Sequence, residues 1–217
     1  MKSKKLTAGI VLFVLFLMLI LVLRTVDVQT VGPEDAKVGL AGLNTAFHNM
    51  TGLQITLYKI TQITGAIAIL TAVFFAGLGV WQLITRKCLA KVDRDIFLLA
   101  GLYCALAVCY IFFEKVIINY RPVILDEGLE ASFPSSHTML SICLLMAAME
   151  QIRRRMKDQP LGKVLSVLCM ILLAVTVLGR LFSGVHWLTD IAGGVLLGGS
   201  LYLIYAGIEE YLEKKKA

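Results

Sequence analysis

Two histidines and one aspartate are the best candidates for chemistry in this chain. His186 and Asp190 are four residues apart, so on a helix they would share one face. A carboxylate placed there can accept the N–H of one imidazole nitrogen, which fixes the tautomer and leaves the other nitrogen free as a nucleophile. His137 comes from a separate segment and could protonate a leaving oxygen. The three residues together predict nucleophilic catalysis assisted by a general acid.

Basic residues near the predicted helix ends indicate that the reacting group is an anion. Arg121 and Arg180 carry planar guanidinium groups that match phosphate oxygens, and Lys115 is a further candidate. Ser135 and Ser136 follow a proline at a predicted helix start, where free backbone N–H groups and the helix dipole favour an anion. We therefore predict a phosphate-binding site built from Arg121, Arg180, Ser135, Ser136 and Lys115.

The composition places these residues in a membrane protein. Of the 217 residues, 58% are hydrophobic and 17% are charged, whereas a soluble domain carries about 25% charge. The apolar residues form six long runs, and we predict an all-α, integral membrane six-helix bundle with a single domain over residues 1–217. The runs cover 6–23, taken as an uncleaved anchor, and 63–84, 96–113, 135–152, 164–181 and 187–208.

The lysines and arginines predict the orientation of the bundle. Fifteen of the 21 fall at the N-terminus, in the loops 85–95 and 150–163, or in the C-terminal tail. Because cytoplasmic loops are enriched in lysine and arginine, both termini should lie in the cytoplasm. The loops 24–62, 114–134 and 182–186 would then face outside, and they bring all the candidate site residues to the extracytoplasmic face. The net charge of +6 is thereby explained by topology, and no nucleic-acid partner is expected.

The first outer loop has its own helical pattern. Leu40, Leu43, Phe47 and Met50 recur at helical spacing, which predicts a short amphipathic helix in the membrane interface. Such a helix could act as a lid or a lipid guide, or it could only cap the bundle.

The motifs around these residues resemble the type-2 phosphatidic-acid phosphatase superfamily, which includes the vanadium haloperoxidases. That family has K-x6-R-P, P-S-G-H and S-R-x5-H-x3-D; this chain has Arg121-Pro122, then Pro134-Ser135-Ser136-His137, then Gly179-Arg180-x5-His186-x3-Asp190. The resemblance implies that His186 forms a phosphohistidine, that Asp190 orients it, and that His137 is the general acid. It also implies that the basic residues bind phosphate. Because cations and helix N–H groups would already hold the anion, we expect neither a cofactor nor a metal.

This chain departs from the family pattern at three positions. Ser136 replaces a glycine, and Gly179 replaces a serine whose hydroxyl is lost. Glu114 occupies the position of the family lysine, and Lys115 lies one residue further on. On a helix that offset of one residue turns the side chain by about 100°.

The resemblance implies hydrolysis of a phosphomonoester or pyrophosphate on a membrane lipid, with isoprenyl or undecaprenyl pyrophosphate as the first choice. Phosphatidylglycerophosphate, phosphatidic acid and short-chain diphosphates are further candidate substrates. The alternatives are a lipid-to-lipid phosphotransferase and a non-enzymatic membrane transporter or lipid-binding protein. A zinc site of two histidines and an aspartate is disfavoured because nearby guanidinium groups repel a cation. We expect a bacterial plasma-membrane protein; the sequence predicts no oligomeric state.

Overall fold

A computed structural model describes residues 3–125 and 128–215. Within these residues the chain forms seven α-helices and one two-stranded antiparallel sheet. The helices are α1 (Lys4–Thr25), α2 (Ala41–Thr51), α3 (Ile55–Arg86), α4 (Arg94–Lys115), α5 (Ser136–Arg155), α6 (Pro160–Phe182) and α7 (Leu188–Lys214). The strands, β1 (Gln29–Thr30) and β2 (Lys37–Val38), lie between α1 and α2. Apart from this short sheet the prediction of an all-α fold is confirmed, and α2 confirms a short helix where the sequence predicted one, in the loop after the first long helix. That this loop faces outside stays a prediction.

Five of the described helices are long and apolar enough to cross a membrane: α1, α3, α4, α6 and α7. The fourth predicted segment forms α5, but this helix does not reach the same hydropathy. It opens on Ser136 and His137 and ends on three arginines, and both ends lower its mean hydropathy. Six membrane-crossing helices, with both termini on the cytoplasmic side, therefore stay a prediction.

The centre of the bundle is α7, which packs against α1 and α5. Of its most apolar stretch, 56% is buried, against 17–22% for the other four candidate spans. Polar contacts join the helices: the Ser200 hydroxyl donates to the Gly9 carbonyl at 2.9 Å, and the Gln151 amide donates to the Tyr205 hydroxyl at 3.0 Å. Such contacts help to fix helix pairs in a membrane, where the hydrophobic effect does not distinguish protein from lipid.

The third helix begins eight residues earlier than the apolar run predicted, at residue 55 instead of 63. Residues 55–62 were expected in the outer loop because Tyr58, Lys59 and Gln62 interrupt the apolar pattern. The helix continues past the apolar core because its first turns pack on the loop before α7, where the Gln54 N–H donates to the Ser183 carbonyl at 2.8 Å. This extension brings α3 to the candidate site.

Candidate functional site

His186 lies in the tight turn between α6 and α7. Gly184 has a φ of 72°, and a Cβ at this position would lie 1.9 Å from the Gly52 carbonyl oxygen, so only glycine fits. The turn buries His186, which is 4% exposed. We expected His186 and Asp190 on one helix face, but His186 precedes Trp187, the N-cap of α7. The helix starts later because the turn is held against the chain before α3.

Asp190 connects the start of α7 to His186. Its Oδ2 accepts a hydrogen bond from the Trp187 N–H at 2.9 Å and lies 3.5 Å from His186 Nδ1, a distance at which the two side chains interact electrostatically without a hydrogen bond. A carboxylate on this side favours the tautomer with the proton on Nδ1, which leaves the Nε2 lone pair available. The structure thus brings the predicted pair together through the cap of α7.

The surroundings of His186 keep its imidazole neutral. Burial lowers the pKa of His186 well below its ordinary value of 6.5, and the positive charges of Arg121 and Arg180 lower it further. A neutral imidazole is the form that a nucleophilic role would require.

Two arginines whose charges act on His186 carry unsatisfied donors. Arg180 is fully buried, and its Nη2 donates to Gln62 Oε1 at 2.6 Å. Arg121 forms an ion pair with Glu130, with Nη2 and Oε2 2.7 Å apart. Within residues 3–125 and 128–215, the Nε and Nη1 atoms of both arginines are buried without a hydrogen-bond partner. Since buried donors are normally paired, four unpaired guanidinium nitrogens indicate a place for an anion.

The start of α5 adds Ser136 and His137 to this site, but it places Ser135 differently from our prediction. The Ser135 N–H donates to the Asp190 carbonyl at 2.9 Å, and its buried hydroxyl accepts from Thr138 at 3.1 Å. Ser135 therefore joins α5 to α7 and has no N–H left for phosphate. The first-turn N–H groups after it have no acceptor within the helix and can serve an anion instead.

Three neighbouring cavities connect these residues. A small cavity of about 30 Å³ is lined by His186, Arg121 and Ser136. A polar cavity of about 800 Å³ is lined by Arg121, Ser136, His137 and Lys59. An apolar cavity of about 880 Å³ between α3, α4 and α5 is also lined by Ser136 and His137. Because Ser136 lines all three, a phosphate near His186 can belong to a molecule that continues past His137 into the apolar cavity.

Lys115 does not line any of these cavities. It is the last residue of α4 and is exposed. Glu114, at the position of the family lysine, lines the small and the polar cavities instead. Lys59 of α3 lines the polar cavity and is a cation that the sequence analysis left in a loop.

Sequence reasoning also missed Tyr58 and Gln62. Gln62 holds Arg180, and the Arg180 guanidinium carbon lies 4.8 Å from the centre of the Tyr58 ring. The two residues are four apart on α3, and this spacing was the available signal once the helix was known to begin at residue 55.

In the part of the chain that the structure describes, no three side chains of histidine, cysteine, aspartate or glutamate gather closely enough to hold a metal ion. A metal-free and cofactor-free site stays a prediction.

Comparison with known proteins identifies the family. Phosphatidylglycerophosphatase B of Bacillus subtilis (strain 168) is 26% identical over 102 residues, which are 46% of this chain and 49% of that protein. The alignment therefore spans about half of that relative. A crystal structure described as the first transmembrane PAP2 type phosphatidylglycerolphosphate phosphatase from Bacillus subtilis shares the fold. Its TM-score is 0.67 at 19% identity, over 94% of this chain and 96% of that one.

The apolar helices and this likeness make the chain a multi-pass membrane protein. A family model for the PAP2 superfamily matches residues 96–213, which include Arg121, His137, Arg180, His186 and Asp190. Because this match covers more than half of the sequence, the chain belongs to the PAP2 superfamily.

Proposed function

We propose that this chain is a membrane lipid phosphatase that removes a terminal phosphate from a lipid through a phosphohistidine at His186. The observation that carries the proposal is the arrangement around this residue. A buried neutral imidazole has a carboxylate on its Nδ1 side and lies beside the unpaired guanidinium donors of Arg121 and Arg180. A transporter would have no use for a nucleophile oriented in this way, so hydrolysis explains the site better than transport does.

The reaction follows in two steps. The substrate phosphate brings negative charge and a proton to the site, and His137 takes up that proton as the anion binds. His186 Nε2 then attacks phosphorus, the bond from phosphorus to the leaving oxygen breaks, and protonated His137 donates its proton to that oxygen. A water molecule then gives its proton to His137 and attacks the phosphohistidine, which releases inorganic phosphate and restores both histidines. Arg121, Arg180 and the first turn of α5 stabilise the charge that develops on the phosphoryl oxygens.

The lipid tail is assigned to the apolar cavity. Gln62, Tyr110, Ser136 and His137 line both the polar and the apolar cavities, so they form the boundary between headgroup and tail. The leaving oxygen carries the lipid, and in a substrate bound this way it would lie beside His137, the proposed proton donor. A lipid phosphate therefore fits the sequence of cavities better than a small soluble phosphate does.

For the substrate we propose an isoprenyl pyrophosphate such as undecaprenyl pyrophosphate. Its terminal phosphate would be hydrolysed at a site that faces away from the cytoplasm. Phosphatidylglycerophosphate is the second candidate, because the names of the two relatives refer to it. The purified protein should be assayed for phosphate release from these two lipids, phosphatidic acid and a short-chain diphosphate. Transfer of phosphate to an added lipid alcohol, without release into water, would identify a phosphotransferase instead.

Trapping of the intermediate tests the mechanism. Brief incubation with a lipid labelled in its terminal phosphate, followed by an alkaline quench, should leave acid-labile label on the protein. His186→Ala should abolish this label and lower turnover by about 10⁴-fold or more, because it removes the nucleophile. Near-normal turnover by His186→Ala would disprove the phosphohistidine, and release of phosphate from none of the four lipids would disprove the phosphatase.

The outward orientation needs a separate test. Single cysteines at Lys37 and Lys157, in a background without the native cysteines, should differ in labelling by an impermeant thiol reagent. In intact cells only the cysteine at position 37 should react, and labelling at position 157 alone would reverse the orientation.

A further inference from the structure

Arg180 is held by neutral groups of α3, a helix that lies outside the residues matched by the family model. The guanidinium is fully buried, and no carboxylate pairs with it among the described residues. Burying an unpaired charge is costly, so the neutral contacts that remain decide where this side chain can lie.

These contacts come from one face of α3. The Gln62 amide oxygen accepts a hydrogen bond from Arg180 Nη2 at 2.6 Å, and the Gln62 amide nitrogen donates to the Tyr58 hydroxyl at 3.1 Å. The Tyr58 ring also lies 4.8 Å from the guanidinium carbon, which is cation–π distance. The Tyr58 hydroxyl orients the Gln62 amide, and the amide oxygen fixes Nη2 of Arg180. The Nε and Nη1 atoms of Arg180 stay unpaired and can bind a ligand.

The same face of α3 continues to His137. Gly65, three residues after Gln62, is buried, and a Cβ built on it would lie 2.7 Å from His137 Cδ2. One side of α3 therefore contacts both Arg180 of α6 and His137 of α5. A small displacement of this side would move an anion-binding group and a proposed acid together.

We propose that Gln62 and Tyr58 are positioning residues, which act on the phosphate through Arg180. The proposal rests on the proposed function for its role in turnover, but its central claim concerns anion binding and needs no turnover. By this proposal α3 helps to position the anion-binding groups, and it also lines the apolar cavity.

Inorganic orthovanadate is the probe, because it resembles phosphate and its binding can be followed by thermal stabilisation of the full-length protein in detergent. Gln62→Leu removes the acceptor and should weaken vanadate binding about tenfold. Tyr58→Phe keeps the ring over the guanidinium but frees the amide, and it should weaken binding about threefold. Ile63→Ala changes an exposed neighbour on the same helix and is the matched control, expected to bind like the wild type.

A double-mutant cycle separates positioning from general stability. In an Arg180→Ala background, Gln62→Leu and Tyr58→Phe should cause no further loss of vanadate binding. Hydrolysis of dioctanoyl phosphatidic acid should follow the same pattern, with kcat reduced more than KM is raised.

The inference is overturned if Gln62→Leu binds vanadate as tightly as the wild type, or if it weakens binding equally with and without Arg180. It is also overturned if the wild type does not bind vanadate. Vanadate binding that follows the cycle without any lipid hydrolysis would uphold the positioning role and reject the proposed phosphatase. If Gln62→Leu fails to fold, the cycle is run with Tyr58→Phe, which removes one hydroxyl group.

Discussion

Neutralising Glu130 should strengthen anion binding at the candidate site. Glu130 lies in the loop between α4 and α5. This loop folds back on itself, so that the Arg121 N–H donates to the Glu130 carbonyl at 3.0 Å. Its carboxylate is 2.7 Å from Arg121 Nη2, where a phosphate oxygen would also bind. A phosphate that approaches Arg121 must share this guanidinium with Glu130. Glu130→Gln removes the competing charge and keeps a side chain of the same shape.

The expected gain lies between two limits. Two unit charges 4 Å apart interact by about 4 kcal/mol at an effective dielectric constant of 20, whereas exposed ion pairs contribute about 0–1 kcal/mol. The side chains of Arg121 and Glu130 are 11% and 25% exposed, so this pair is mostly but not fully shielded. Arg121 also keeps two unpaired nitrogens for the anion, which limits the competition. We expect about 1.4 kcal/mol, which is about a tenfold lower inhibition constant for orthovanadate.

The measurement is vanadate inhibition of lipid-phosphate hydrolysis by the wild type, Glu130→Gln and Glu114→Gln. Glu114 lines the same polar cavity but forms no ion pair within the described residues, so it is the matched control for charge alone. It should change the inhibition constant by less than about threefold, because solvent in the cavity screens its field. Equal effects of the two variants would mean that overall cavity charge matters and not the Arg121 pair. A higher inhibition constant for Glu130→Gln would mean that Glu130 positions Arg121 and does not compete with the phosphate.

Three further predictions follow from the site. Because burial, Arg121 and Arg180 lower the pKa of His186 below 6.5, the neutral nucleophile persists to lower pH. The acidic limb of kcat/KM from this group should therefore lie below 6.5, and Arg121→Gln should move it upward; an unmoved limb would contradict this electrostatic account. Lys59→Ala should lower kcat/KM about tenfold and Lys115→Ala less than about threefold, and the reverse order would restore Lys115 to the site. Gly179→Ser should destabilise the protein by about 1–3 kcal/mol, because its Cβ would lie 2.4 Å from Thr61 Cγ2. This loss of stability can be measured as a lower melting temperature. Adding Thr61→Ala to Gly179→Ser should restore the melting temperature, and no recovery would contradict the steric explanation.

Hydropathy predicted where the long helices lie but not where they end. The apolar runs correspond to α1 and α3–α7, and the spacing around Phe47 predicted α2. The start of α3 was wrong by eight residues because its first turns lie beyond the apolar stretch and are fixed by a tertiary contact, from Gln54 to Ser183. Hydropathy cannot detect such a contact, since it depends on a segment about 130 residues away.

The local motifs predicted which site residues come together, but not how each is held. His186 and Asp190 are close because only three residues separate them, and spacing alone was enough for that pair. Ser135 was assigned to phosphate because it opens the predicted helix 135–152, yet its N–H donates to the Asp190 carbonyl of another helix. The pairing of Arg121 with Glu130 also depends on how the loop folds back, and no local pattern encodes it.

The two arginines are held differently, and this difference suggests separate tasks. Arg121 has a carboxylate partner, so its charge is partly neutralised until a stronger anion displaces Glu130. Arg180 has an amide and an aromatic ring, which fix its position but leave its charge uncompensated. A fully buried charge without a counterion destabilises the empty protein, and a bound phosphate relieves that cost. We therefore expect Arg180 to supply a permanent attraction for phosphate, and Arg121 to exchange Glu130 for phosphate when a substrate binds.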